Sequence, residues 1–302
     1  MIKLGILDFD TSHVVEFTKR LNLIEGTPKE QLVEGAQIVI GCPGESKLSP
    51  ERIEGFTSQM KKFGVPLVEK PADMLGKVDG MLIESVDGTV HFDRAKPFLE
   101  AGLPCFIDKP FTCSVADARK IVELSEKKKA QVFSSSSLRY VPELTAFVAE
   151  GSHGKTHGAL AYGPANLFEK DPKLNPGFYH YGIHAVEILY TLMGPGCERV
   201  TCTHEKDADV VTGQWKDGRL ATVRGLRAGK EDYGCVAFCD KGVYPLTLST
   251  KFIYRELVKR IVSLFTEKKS PLDVAVTVEI VAFIEAANKS AANHGTGEKV
   301  MA

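Results

Sequence analysis

The chain has 302 residues, with 38 Lys or Arg, 39 Asp or Glu, and 43% hydrophobic residues. This length is enough for two domains with their own cores, and the composition excludes a disordered or collagen-like chain. A formal net charge of −1 provides no basic excess for binding nucleic acid or an anionic membrane. We therefore expect a small molecule, and neither nucleic acid nor a membrane, as the partner.

The start of the chain and its cysteines indicate the compartment. Residues 1–10 enter an apolar strand at once and lack the features of a signal peptide, and no apolar stretch approaches the ~18 residues that cross a bilayer. The seven cysteines are scattered and odd in number, which favours reduced thiols over a disulfide framework. We expect a cytoplasmic protein.

The first 137 residues alternate short apolar segments with segments of helical period. This alternation predicts a doubly wound parallel sheet of the Rossmann type, with helices on both faces. The predicted strands are 2–7, 36–42, 80–83, 104–107 and 131–133. The predicted helices are 13–24, 50–63, 89–101 and 114–128.

The pattern changes after residue 137 to short strands separated by turn residues. Such strands predict an open, mostly antiparallel sheet, here with flanking helices, so we divide the chain into domains 1–137 and 138–302. The predicted strands are 157–162, 199–204, 210–215, 220–226, 233–239 and 243–248. The predicted helices are 179–193, 251–266 and 272–292.

Polar residues follow four of the predicted parallel strands. Ligands of a doubly wound sheet bind at the carboxyl ends of its strands, so these residues are the candidates for a site. They are Asp8, Asp10, Thr11, Ser12 and His13 after the first strand, Glu45, Ser46 and Lys47 with the neighbouring Pro43 after the second, Glu84, Ser85, Asp87 and His91 after strand 80–83, and Asp108 and Lys109 after strand 104–107.

Two short motifs in the chain resemble those of the Gfo/Idh/MocA family of NAD(P)-dependent sugar and inositol dehydrogenases. Asp108-Lys109-Pro110 is similar to the family's Glu-Lys-Pro, and residues 181–187 are similar to its Asp-x-Gly-x-His-x-x-Asp. The resemblance extends over nearly the whole chain. It implies an N-terminal dinucleotide-binding domain, a C-terminal domain for substrate binding and oligomerisation, and a cleft in which Lys109 and His184 face the nicotinamide.

The resemblance also implies NAD or NADP as cofactor, a sugar or polyol as substrate, and a homodimer or dimer of dimers. The residues after the second strand leave the choice of dinucleotide open. Glu45 suits the hydroxyls of an adenosine ribose, Ser46 and Lys47 suit a 2′-phosphate, and a polar turn before Ser49 explains them equally well. The predicted cofactor-binding residues are Asp10, Thr11, Ser12, His13, Pro43, Ser46, Ser85, Asp87, His91, Asp108 and Lys109.

The turn after the first strand departs from the family. Asp8, Asp10 and His13 stand where a dinucleotide-binding turn has glycines for its tight bend and for the approach of the pyrophosphate. A carboxylate at Asp10 would oppose the phosphates or take their place at the helix N-terminus. Two interpretations remain open: Asp10 caps the helix by accepting the N–H groups of Ser12 and His13, or the cofactor binds slightly displaced, on the Thr11 and Ser12 hydroxyls.

Four residues are predicted to be catalytic. Lys109 would exchange the proton of a substrate hydroxyl, and His184 would hydrogen-bond the reacting or a neighbouring oxygen. His180, at the position of the family's Asp, and Glu187 would orient or assist His184, because all three share one stripe of the predicted helix 179–193. The same three residues have the spacing of metal ligands, but no further ligand is evident and we predict no metal.

The segment between the predicted domains contains Ser134 to Ser137 and Arg139. These serines would line a sugar site or allow a close backbone approach. Arg139 is similar to an arginine in the same linker of the family, and the alternative interpretation is an interdomain salt bridge.

The sequence therefore predicts an NAD(P)-dependent oxidoreductase acting on a carbohydrate or cyclic polyol. One alternative is a sensor or scaffold that keeps the fold without redox function, which the missing glycines favour. Another is a sugar lyase or glycosidase that retains the cofactor and uses transient oxidation.

Overall fold

A computed structural model describes residues 1–302, and these residues form two units. The first unit contains residues 1–112, 116–134 and 254–274, and the second contains residues 113–115, 135–253 and 275–302. Residues 254–274 thus pack with the first unit, although the sequence places them in the second domain. Apolar contacts explain this, because Val262 lies against Gly35 and the ring of Phe265 lies against Gly80.

The first unit is built on a parallel sheet in the order β2-β1-β3-β4-β5, which confirms the predicted Rossmann-type sheet. The strands are short and almost fully buried, as expected when helices cover both faces. They are β1 (Ile2–Leu7), β2 (Ala36–Cys42), β3 (Gly80–Ile83), β4 (Cys105–Ile107) and β5 (Val132–Phe133).

Five helices accompany this sheet. They are α1 (His13–Leu21), α2 (Pro50–Lys62), α3 (His91–Glu100), α4 (Val115–Lys128) and α7 (Ile253–Glu267), which returns from the end of the chain. Pro50 starts α2 at a position where the missing N–H is not needed. Gly64, just after α2, has φ +73°, the left-handed conformation in which helices end. These local signals explain why the predicted helix ends lie within a few residues of the observed ones.

The second unit contains a seven-stranded sheet in the order β11-β10-β6-β9-β8-β7-β12. All neighbouring strands are antiparallel except β6 and β9, which are parallel, so the predicted mostly antiparallel sheet is confirmed. The strands are β6 (Thr156–Pro164), β7 (Cys197–Glu205), β8 (Ala208–Trp215), β9 (Leu220–Leu226), β10 (Gly234–Cys239), β11 (Gly242–Thr247) and β12 (Glu298–Lys299).

Three helices belong to the second unit: α5 (Pro142–Glu150), α6 (Ile183–Met193) and α8 (Val274–Ala292). The sequence did not predict α5. Helix α6 packs against the sheet and is buried on all sides, with Thr191 as its one partly exposed residue. The prediction that His180 shares a helical stripe with His184 and Glu187 is therefore wrong, because α6 begins only at Ile183.

No helix in the structure combines the length and the apolar character needed to cross a membrane.

A candidate active site at the carboxyl edge of the parallel sheet

Adjacent strands of the first unit end at the same level. The ladder of hydrogen bonds continues one residue beyond β1, β3 and β4: Asp8 N–H donates to Cys42 O at 3.0 Å, Glu84 N–H to Leu7 O at 3.0 Å, and Asp108 N–H to Ile83 O at 2.9 Å. The first residue after each of these strands is an acid. Three carboxylates are thereby brought to one edge of the sheet.

Asp8 occupies the first glycine position of the dinucleotide turn and keeps a glycine-like backbone, with φ +66°. Its carboxylate accepts hydrogen bonds from the Ser85 hydroxyl and from Arg94 Nε, the latter at 2.9 Å. Burial raises the pKa of Asp8 to about 6, although Arg94 and Ser85 oppose the shift. Arg94, which the sequence analysis did not single out, also donates to Glu45 O at 3.3 Å.

Asp10 connects three loops. Its Oδ1 accepts the Val86 N–H at 3.0 Å, and it is hydrogen-bonded to Ser46 in the loop after β2. Burial raises the pKa of Asp10, while the hydrogen bonds from Ser46 and Val86 oppose the shift. The interpretation of Asp10 as the cap of α1 is wrong. The N-cap residue is Ser12, without a side-chain cap, because the Asp10 carboxylate is directed to Val86.

A buried cluster of His13, Glu84 and Asp108 lies next to Lys109. His13 Nδ1 is 2.8 Å from Asp108 Oδ2 and 3.7 Å from Glu84 Oε2. The His13 ring stacks on Phe17, with ring centroids 4.7 Å apart. Asp108 Oδ1 accepts the Lys109 N–H at 2.7 Å. The third glycine position thus holds an imidazole that pairs with an acid at the end of β4.

The two acids of this cluster have opposite pKa shifts. Glu84 is 0% exposed, and burial together with the neighbouring Asp108 raises its pKa well above the ordinary value. Burial acts in the same direction on Asp108, but the charges of His13 and Lys109 outweigh it and lower the pKa of Asp108. Asp108 therefore loses its proton more readily than Glu84 does.

The ligand atoms of His13, Glu84 and Asp108 lie within 4.8 Å of one another, close enough to hold a metal ion. His13 Nδ1 contacts Asp108 Oδ2 at 2.8 Å, whereas neither carboxylate oxygen of Glu84 has a hydrogen-bond partner. The His180, His184 and Glu187 set that the sequence analysis weighed as metal ligands is engaged differently, since Glu187 is hydrogen-bonded to Arg139 and to the backbone of Ser136.

The remaining predicted residues of the first unit support the loops. The ring nitrogens of His91 contact Pro110 O at 2.9 Å, Phe111 O at 3.1 Å and Ser85 O at 2.8 Å, and its side chain is completely buried. Asp87 Oδ1 accepts the N–H of Thr89 at 2.9 Å just before α3. Pro43 O accepts the Phe9 N–H at 2.8 Å. The structure places His91, Asp87 and Pro43 in the frame of the site.

The N-terminus of α1 is suited to the pyrophosphate of a dinucleotide. The first turn of a helix leaves several backbone N–H groups without helical partners, and no side chain caps those of α1 except for a 3.3 Å bond from His13 N–H to Thr11 Oγ1. The carboxylates of Asp8 and Asp10 are bonded to neighbouring loops. Thr11, Ser12 and the helix N–H groups therefore fit an anion despite the missing glycines.

The second unit has a cluster of its own around α6. Ser136 Oγ is 2.7 Å from His184 Nδ1, and Ser136 N–H donates to Glu187 Oε1 at 3.2 Å. Arg139 Nε donates to the other carboxylate oxygen of Glu187. Arg139 thus pairs within the second unit, and Glu187 contacts Ser136 and Arg139.

His180 lies outside α6, in the turn after the short 3-10 helix Gly177–Tyr179. Its ring centroid is 5.8 Å from that of Tyr181, which in turn lies 5.3 Å from that of His184. Tyr233 contacts the His184 ring at 5.9 Å in an edge-on geometry. Aromatic rings therefore surround His184, and periodicity alone did not indicate them.

The two sheets define the class of fold, a Rossmann-type domain with a second, mostly antiparallel domain. Residues 47–136 match the GFO_IDH_MocA family model, described as an oxidoreductase family with an NAD-binding Rossmann fold. The predicted resemblance to the Gfo/Idh/MocA family is thereby confirmed over this segment, and the description of the family agrees with the predicted enzyme class and cofactor.

Individual proteins are similar to this chain in sequence or in fold. The rhizopine catabolism protein MocA of Rhizobium meliloti is 34% identical over 162 residues, which is 50% of each protein. A probable dehydrogenase from Thermotoga maritima has a TM-score of 0.81 at 17% identity and 99% coverage of both chains. A putative myo-inositol dehydrogenase from Sinorhizobium meliloti 1021 has a TM-score of 0.79 at 16% identity and full coverage of both chains. At these identities the two structures support the fold alone.

Proposed function

We propose that the protein is an NAD(P)-dependent oxidoreductase that transfers a hydride between nicotinamide and a carbohydrate or cyclic polyol. The observation that carries the proposal is the position of Lys109, the second residue after β4 and next to the charged Asp108, within the segment that matches the NAD-binding family. The match to the GFO_IDH_MocA family model and the similarity to the rhizopine catabolism protein MocA support the proposal.

The cofactor supplies the hydride chemistry when it is bound, and the protein contributes binding, orientation and proton transfer. Thr11, Ser12 and the N–H groups of α1 are the proposed pyrophosphate contacts. Ser46 and Glu45, after β2, are the proposed neighbours of the adenosine ribose. Both are already tied to the turn after β1, Ser46 to Asp10 and Glu45 O to Arg94.

Lys109 is the proposed proton carrier for the substrate hydroxyl, because a positioned amine is an efficient acid–base group. Its side chain is buried, with 8% of the residue exposed. Its charge contributes to the lowered pKa of Asp108 and opposes the burial that raises the pKa of Glu84. His184 is the proposed hydrogen-bond donor to a substrate oxygen. Glu187 and His180 would act indirectly, through Ser136 and the neighbouring aromatic rings.

The test begins with a screen of sugars, inositols and glycosides for a change in nicotinamide absorbance. With a substrate in hand, Lys109→Met should lower kcat by about 10²- to 10⁴-fold while cofactor affinity is retained. Lys62→Met, at an exposed site at the end of α2, is the control. An unchanged kcat in Lys109→Met would remove Lys109 from the mechanism.

A second candidate function is a sensor or scaffold without redox activity, and the carboxylates at two glycine positions favour it. Failure of the wild-type protein to bind either dinucleotide at millimolar concentration would support this alternative. A third candidate, elimination or glycoside cleavage through transient oxidation, begins with the same hydride step, so product analysis would separate it from net oxidation. Cytoplasmic location and a homodimer or dimer of dimers stay predictions.

A further inference from the structure

We propose that Ser136 is a positioning residue that holds the proton of His184 on Nε2, so that the imidazole offers an N–H donor to the substrate. The inference rests on the proposed function for its catalytic meaning. The protonation geometry itself depends only on residues of the second unit.

The argument starts from the Ser136 hydroxyl, which is fully buried. Its oxygen lies 2.7 Å from His184 Nδ1 and accepts the Leu138 N–H at 3.1 Å. A hydroxyl has one proton to donate and two lone pairs that accept. The Leu138 N–H occupies one lone pair, and the only ring nitrogen against the hydroxyl is His184 Nδ1.

The proton of the hydroxyl decides between the two neutral forms of His184. If Nδ1 carried the proton, it would donate to Ser136 Oγ, and the serine proton would be left without an acceptor in a fully buried position, which is unfavourable. If Nδ1 is bare, it accepts from Ser136, and the serine proton has its acceptor. The neutral imidazole then carries its proton on Nε2.

The frame around Ser136 fixes this arrangement. Glu187 follows His184 by three residues on α6, and i,i+3 side chains lie on one helix face. Its Oε1 accepts the Ser136 N–H at 3.2 Å, and its Oε2 accepts from Arg139 Nε. The helix that carries the imidazole therefore also anchors the serine. The edges of Tyr181 and Tyr233 restrict the plane of the imidazole ring.

The chemical consequence concerns the direction of the hydrogen bond to substrate. A carboxylate against Nδ1 would accept its proton and leave Nε2 bare, whereas a serine hydroxyl donates to Nδ1 and leaves Nε2 protonated. His184 in this protein is therefore a donor, suited to an oxygen that gains negative charge. Removal of the substrate proton falls to Lys109.

The experiment is long-range ¹H–¹⁵N correlation of the imidazoles in ¹⁵N-labelled protein at about pH 8.5, above the ~6.5 of an ordinary histidine. The chain has 8 histidines, and the signals lost in His184→Gln identify His184. We expect Nδ1 of His184 to resonate as the bare nitrogen and Nε2 as the N–H nitrogen in the wild-type protein. The opposite assignment would overturn the proposal.

Variants test the role of the hydroxyl. Ser136→Ala should lose the single Nε2–H form and give a mixture of both tautomers, while Ser136→Cys, with a weak S–H donor, should fall between. Ser135→Ala is the matched control, because Ser135 is equally buried and its hydroxyl donates to Ser136 O. A wild-type tautomer in folded Ser136→Ala would contradict the inference.

The spectra need neither substrate nor cofactor, so their outcome is independent of the proposed function. If turnover is established, Ser136→Ala should lower kcat more than Ser135→Ala does, with cofactor affinity unchanged. Equal values of kcat in the two variants would show that the tautomer has no catalytic role.

Discussion

Single residues determine the character of the turn after β1. Asp8 adopts the backbone conformation of a glycine, with φ +66°, and its side chain fills the space under Gly44, where a Cβ would overlap the Asp8 carboxylate. Asp10 connects the loops after β1, β2 and β3. A dinucleotide-binding turn usually contains glycines at these positions. In this protein buried carboxylates occupy them and accept hydrogen bonds from the neighbouring loops.

The raised pKa of Asp8 predicts a pH-dependent loss of stability. The pKa rises from 3.8 to about 6 on folding, so the folded protein holds this proton more tightly than the unfolded chain. The contribution of Asp8 to the free energy of unfolding must therefore fall by up to about 3 kcal/mol as the pH rises from ~4 to ~6. Above ~6 it stays constant.

Urea unfolding of wild type and Asp8→Asn across pH 4 to 8, a range of about four units that spans this window, measures the effect. We expect the free energy of unfolding of Asp8→Asn, minus that of wild type, to increase up to about pH 6 and then to level off. Asp207→Asn, at an exposed turn position, is the control. A difference that is constant with pH would contradict the shifted titration of Asp8.

Asp10 should weaken the binding of a dinucleotide. A carboxylate near a phosphate costs about 1 kcal/mol at ~4 Å in water, or about fivefold in affinity. Asp10→Asn keeps an oxygen for the Val86 N–H while removing the charge, so it should bind NADH and NADPH more tightly than wild type. Fluorescence titration with both cofactors measures this and the preference between them. Weaker binding by Asp10→Asn would show that the carboxylate supports the site.

At the scale of elements, the packing of α7 on β3 joins the end of the chain to the first unit. Leu257, Ile261, Leu264 and Phe265 form the buried face of α7, and Phe265 packs against Gly80 in β3. Tyr254, in the same helix, places its ring 5.2 Å from that of His13. A helix near the end of the chain thus packs beside His13 in the candidate site.

Two glycines test this packing. Gly80→Ala would place a methyl group against the Phe265 ring and should destabilise the protein by about 1–3 kcal/mol. Gly55→Ala, in the exposed middle of α2 with no atom within 4 Å of the added Cβ, should stabilise it by about 0.5–1 kcal/mol. Unfolding in urea measures both. Equal effects of the two substitutions would show that α7 is not tightly packed on β3.

At the scale of the whole molecule, the sheet of the second unit has an apolar row on one face. Val243, Phe238, Gly158 and Leu220 are paired in register across β11, β10, β6 and β9. The three side chains in this row are 61%, 44% and 57% exposed, respectively. A contiguous exposed apolar surface of this kind is typical of an interface between subunits.

We therefore predict a homodimer or larger oligomer in which this row is buried. Light scattering at tens of micromolar should show at least a dimer for wild type, and Phe238→Lys with Val243→Lys should shift the protein to monomer. Val148→Lys, at a comparably exposed site on α5, is the control and should leave the mass unchanged. A monomeric wild-type protein would contradict the prediction.

The sequence by itself determined the order and kind of most elements and the position of Lys109. Hydrophobic periodicity, proline at the start of α2 and glycine at its end are local signals, so the parallel and antiparallel sheets could be predicted without tertiary information. Lys109 was identified because a residue directly after a buried strand must lie at the carboxyl edge of the sheet.

Only the tertiary structure decided how distant residues combine. No local pattern in the sequence indicates the partners of Asp8 or the packing of residues 254–274 with the first unit. The same holds for the bond between Ser136 and His184, which are 48 residues apart. The predicted helix 179–193 begins only at Ile183 in the structure, so His180 lies outside the helix that carries His184 and Glu187. Burial likewise set the pKa of Asp8 and Glu84, since desolvation is a property of the folded interior.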